Sequence, residues 1–67
     1  MSQTRKNKFE KKVAEMERRN YAVVDYVPSA KLALMQHRQT GGFVSVANYD
    51  VYLGNERFTE ETKAITK

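Results

Sequence analysis

The side chains able to do acid, base or nucleophilic chemistry in this chain are few and poorly placed for it. His37 is the only histidine, and it alone has a reference pKa near neutrality. Its neighbours at helical spacing are Ala33, Leu34, Thr40 and Gly41, none of them a carboxylate or a base. His37 therefore reads as a structural or surface residue, with a phosphate contact beside Arg38 as the lesser option. Glu60 and Glu61 are adjacent, so they diverge on a helix or a strand and make a poor acid/base pair. Asp50 and Glu56 flank Gly54-Asn55, where charges are ordinarily solvated. Ser29 and Ser45 have no base in local sequence, so nucleophilic catalysis has no support. Gly41-Gly42 lacks the neighbouring Lys-Ser or Lys-Thr of a phosphate loop. No cysteine is present, which excludes disulfides, thiolate metal sites and a cysteine nucleophile. One histidine cannot make a multi-histidine metal site. The chain is expected to be non-enzymatic, with no cofactor and no metal.

Charge carries more information. Lys and Arg number 12 against 8 Asp and Glu, for a formal net charge of +4. The excess lies at the N-terminus. Arg5, Lys6, Lys8, Lys11, Lys12, Arg18 and Arg19 face only Glu10, Glu15 and Glu17 in the first twenty residues. The remainder is near neutral. A basic segment on a neutral body fits contact with phosphate or with an acidic protein surface. The first function expected is thus a small regulatory or accessory protein that binds nucleic acid through those seven cations, led by backbone charge with little base reading. The alternative is an adaptor or inhibitor that docks on an acidic partner surface. No helix-turn-helix and no ribonucleoprotein aromatic motif is visible.

The elements that hold these residues follow from periodicity. Residues 1–6 are polar and aperiodic and are expected to form a disordered basic arm; residues 7–67 are expected to form one small α+β domain. Phe9, Val13 and Met16 recur at helical spacing, so a helix is predicted from about Asn7 to Arg19. Asn7 and Glu10 suit a capping box, and Asn20 suits the exit. Tyr21–Val27 is short, β-branched and aromatic, and ends before Pro28, which predicts a strand. Its unalternating pattern suggests cover on both faces. Ser29 offers an N-cap, and Ala30 to about Gln39 favour a second helix closed by Gly41.

Phe43 to Leu53 is the most strand-like segment. Val44 and Val46 are out of phase with Tyr49, Val51 and Leu53. One long strand with a bulge near Ala47-Asn48 reconciles them. Two short strands turning at Asn48-Tyr49 are the alternative, against which stands the cost of a Tyr at positive φ. Gly54-Asn55 predicts a hairpin that returns the chain with Val51 opposite Phe58. The tail from Glu60 mixes helix-start and strand signals.

This order, helix, strand, helix, strand and a hairpin return, predicts both helices on one face of a small sheet, with the sheet parallel or antiparallel. The expected core is Phe9, Val13, Met16, Leu34, Val44, Val46, Val51 and Leu53. Ser45 is expected to cost little when truncated. Tyr26 and Tyr49 are expected to face inward, Tyr21 and Tyr52 outward. A core this thin, without disulfide or metal staples, predicts a homodimer. Phe43 and Tyr52, on the outer face of the long strand, are its expected interface. No run approaches a membrane span, and the N-terminus lacks an apolar signal core. The chain is expected to be an intact, soluble, cytoplasmic protein.

Overall fold

A computed structural model of the chain describes residues 7–65. It is an α+β domain of two helices and a four-stranded antiparallel sheet. Helix α1 (Lys8–Arg18) leads into strand β1 (Tyr21–Val27). A 3-10 turn (Pro28–Ala30) follows, then β2 (Leu32–His37), β3 (Phe43–Ala47), β4 (Asp50–Leu53) and helix α2 (Glu56–Ile65). The strand order is β1-β2-β3-β4, a meander with each strand beside the next. Every strand pairing among the described residues is thus antiparallel, with no parallel crossover there. The expected disordered arm, residues 1–6, lies outside the described residues.

Helix α1 begins as its sequence predicts. The Glu10 N–H donates to Asn7 Oδ1 at 2.8 Å, and the Asn7 N–H donates to Glu10 Oε1 at 3.2 Å. Both ends of the capping box are made, so the N–H groups of Asn7 and Glu10 are satisfied. Phe9, Val13 and Met16 are buried as one stripe. The helix exits through Asn20 at φ 75°, a left-handed residue of the kind Asn tolerates.

The second predicted helix is a strand. Leu32–His37 forms β2, paired with β1 on one side and β3 on the other. Individual propensities in Leu-Ala-Leu-Met-Gln favour helix, but by only tenths of a kcal/mol per residue. A central strand satisfies its backbone groups on both sides and buries Leu32, Ala33 and Met35, which outweighs that preference. The contiguous apolar run is the pattern of a strand covered on both faces. Gly41 closes a hairpin turn, not a helix: its N–H donates to the His37 carbonyl, and the His37 N–H to the Gly42 carbonyl. Strand β1, expected to be covered on both faces, is an edge instead, and the bulge lies there, between Val23 and Asp25.

The bulged long strand is also corrected. β3 and β4 are two strands joined at Asn48-Tyr49, with Ala47 opposite Asp50. Only Asn48 of that pair takes a positive φ, 64°, so Tyr49 meets no left-handed penalty. The phase change between the valines is a turn. The predicted hairpin after Gly54 is a helix, α2, whose first turn has the Thr59 N–H and hydroxyl both bonded to the Asn55 carbonyl.

The two helices lie on opposite faces of the sheet. Val44, Val46, Ala33 and Met35 cluster with Phe9, Val13 and Met16 of α1. Ser45, between two of them, points the other way. There its Oγ donates to the Gly54 carbonyl at 2.8 Å and accepts from the Phe58 N–H at 3.1 Å. Phe58 is therefore on the face opposite Val51, and the expected Val51–Phe58 pair does not form. Of the expected core, Leu34 is half-buried, while Val51 and Leu53 are exposed. Both lie on the α1 face of an edge strand, and α1 packs on β1 and β3 instead.

Candidate functional site

The outer face of α1 follows from its inner one. With Phe9, Val13 and Met16 turned to the sheet, Lys8, Lys11, Arg18 and Arg19 are exposed and Lys12 is half-exposed. These five are not equivalent. Lys12 and Arg19 both pair with Glu15, at 3.3 and 3.4 Å. The Lys8 ammonium sits 5.1 Å from the centre of the Tyr49 ring, a cation–π contact that ties the start of α1 to the β3–β4 turn. Lys11 and Arg18 make no ion pair among the described residues. Seven positions apart, they share one helix face. Arg5 and Lys6 lie outside the described residues.

The fold adds a cation that spacing did not assign to this group. The Arg38 N–H donates to the Asn20 carbonyl at 2.9 Å. That bond holds the β2–β3 turn against the chain leaving α1. Backbone pairing thus brings Arg38 to the same end of the domain as Arg18 and Arg19. In the sequence it lies nineteen positions past Arg19, and no local pattern connects them.

His37 beside it is a turn organiser. Its Nδ1 accepts from the Gln39 and Thr40 N–H groups, each at 3.2 Å, which leaves the ring proton on Nε2. Its ring meets Tyr21 edge-on, with centroids 4.9 Å apart. Ser45 is buried and spends its hydroxyl proton on a carbonyl. No group of three or more His, Cys, Asp or Glu that could hold a metal occurs among the described residues.

A second polar region is a cleft of about 330 Å³ at the other end of the sheet, lined by Lys31, Asn48, Asp50, Tyr52, Arg57 and Glu61 among others. Its charges largely answer one another. Arg57 pairs with Glu61 at 3.3 Å and lies 4.3 Å over the Tyr52 ring.

The tyrosines are placed opposite to expectation. Tyr26 and Tyr49 are exposed, while Tyr21 and Tyr52 are half-buried. Tyr26 belongs to an edge strand and Tyr49 to a turn, so each is covered only in part, Tyr26 by Phe9, on which it stacks at 5.8 Å, and Tyr49 by the Lys8 ammonium. Phe43 and Tyr52 do share a face, through the Ser45–Tyr52 pairing, but it is the α2 face, and both are half-buried there. The face expected to lie open is the one on which α2 packs.

No protein family, curated protein or solved structure matches this chain. No helix among the described residues is long and apolar enough to cross a membrane.

Proposed function

We propose that this is a non-enzymatic regulatory or accessory protein that binds nucleic acid through its phosphate backbone, using the outer face of α1 and the turn that carries Arg38. The observation that supports the reading is the Arg38–Asn20 bond. It adds a third arginine to the end of the helix where Arg18 and Arg19 stand, on an element that the fold fixes. Lys11 and Arg18 are free of ion pairs among the described residues, so they need not break a contact to meet phosphate. Each phosphate neutralised by such a cation releases counterions, and binding falls with salt. Arg5 and Lys6 extend the same charge along the chain.

The test is fluorescence anisotropy of a labelled duplex and a labelled single strand at about 50 mM salt, where phosphate contacts are strong. The intact protein is expected to bind both, with little dependence on sequence. The triple variant Lys11→Glu, Arg18→Glu, Arg38→Glu is expected to lose binding while keeping its unfolding midpoint. No binding by the intact protein removes the reading. The same cations would then serve an acidic protein surface.

A further inference from the structure

We propose that β4 is the pairing edge of a two-fold homodimer, with Val51 and Leu53 of each copy exchanging backbone hydrogen bonds with Leu53 and Val51 of the other. The inference does not depend on what α1 binds.

Leu53 is 90% exposed and Val51, two positions before it, 37%. Both pair toward the α1 side of the sheet, opposite Val44 and Val46. Helix α1 packs on β1 and β3, so the apolar surface of that face runs out past the helix to the edge at β4.

The backbone points the same way. The Gly54 N–H donates to the Phe43 carbonyl at 2.8 Å. Hydrogen bonding alternates along an antiparallel pair. Asp50 and Tyr52 therefore turn their N–H and C=O groups to β3, and Val51 and Leu53 turn theirs outward. The residues with free backbone groups are the same ones whose side chains extend the apolar face. The opposite edge differs. β1 carries a bulge between Val23 and Asp25, a device that interrupts pairing with another strand. β4 has no bulge, no proline and no lysine.

The occupant that fits is a second copy of this chain. A two-fold axis perpendicular to the sheet makes two β4 strands antiparallel and keeps both α1 faces on one side. Only residues with outward groups can form the narrow, hydrogen-bonded pairs, so odd positions must meet odd positions. Centring the axis on Tyr52 uses the whole of β4. It sets each Leu53 against a Val51, an apolar match that β4 supplies to itself. It places Asp50 opposite Gly54, so no carboxylate faces another. Tyr52 meets its counterpart on the α2 face, each under an Arg57 already neutralised by Glu61. An interface of this size belongs to the weak, reversible class.

Sedimentation equilibrium over about a hundredfold range of concentration reads such an equilibrium directly. The mass is expected to rise from 7.8 kDa toward twice that value. Leu53→Lys, at a position with almost no native contact, is expected to keep the unfolding midpoint and hold the mass at 7.8 kDa. Register is read separately by cross-linking, which is unambiguous because the chain has no cysteine. Tyr52→Cys lies on the axis and is expected to oxidise to a covalent dimer. Val51→Cys is expected not to, since its own counterpart lies beyond the reach of a disulfide. A constant mass of 7.8 kDa in the intact protein, a dimer that survives Leu53→Lys, or a cross-link at Val51→Cys without one at Tyr52→Cys overturns the proposal.

Discussion

Ser45 is the one buried polar side chain among the described residues, and it joins two elements. Its hydroxyl accepts the N–H of Phe58, in the first turn of α2, and donates to Gly54, in the bend that leads there. A strand residue thus does for α2 part of what an N-cap does. Ser45→Ala would leave a buried N–H without an acceptor, at a cost of about 1 to 3 kcal/mol. Urea unfolding measures this; a loss within about 0.5 kcal/mol, the ordinary range for a surface change, would show that α2 is anchored otherwise. Ser45→Thr keeps the hydroxyl but adds a methyl to a site with no exposed surface, so it is expected to be destabilising for a different reason, overpacking. His37 is the contrary case. It accepts two N–H bonds, but in an exposed turn where water can replace it. His37→Ala should therefore cost less than Ser45→Ala.

At the scale of elements, the two valines that the long-strand reading placed on one face separate into different strands and environments. Val46 is fully buried in the cluster beneath α1, whereas Val51 lies on the open edge. Val46→Ala is expected to cost about 2 kcal/mol, between the Ile→Val and Leu→Ala ranges. Val51→Ala, measured at a concentration where the protein is monomeric, should cost well under half of that. Equal losses would mean that α1 covers β4. Gly54 is a second test. It takes φ 84°, with nothing near the position a Cβ would occupy, so Gly54→Ala pays for backbone strain alone, about 1 to 2 kcal/mol.

At the scale of the whole molecule, the charge is arranged as two regions of different character. The cleft between Lys31, Asp50, Tyr52, Arg57 and Glu61 balances its own charges. The end with Arg18, Arg19 and Arg38 does not. If Lys11, Arg18 and Arg38 each meet a phosphate, a plot of log K against log salt for duplex DNA should have a slope of roughly −3 from these three contacts, steeper with the cations of residues 1–6. Arg38→Ala alone should reduce the slope by about one and weaken binding on every sequence alike. If Arg38→Ala leaves the slope unchanged, the β2–β3 turn takes no part. Pairing through β4 would carry two such regions on one particle. The Leu53→Lys variant should then bind a long duplex more weakly than the intact protein while matching it on a duplex that spans a single site.

The α1 helix was legible residue by residue. A capping box, an apolar stripe and an exit Asn all act within one or two turns, so the information is local. The β character of Tyr21–Val27 and of Phe43–Ala47 was legible for the same reason, through β-branched content. The α+β class followed, as did the cations of α1. What local pattern could not supply was the partner of each segment. Leu32–His37 is a strand because β1 and β3 flank it and a helix covers each face; its own residues prefer helix weakly, and that preference is smaller than the burial and pairing gained. The turn at Asn48-Tyr49 depended on which residue took the left-handed dihedral. The start of α2 depended on Ser45, thirteen residues upstream of Phe58. The same applies to function. Seven cations could be read from the sequence, but Arg38 joins them only through a backbone bond across a hairpin. The exposure of Leu53 is likewise a property of an edge, and an edge exists only once the order of the strands has been decided.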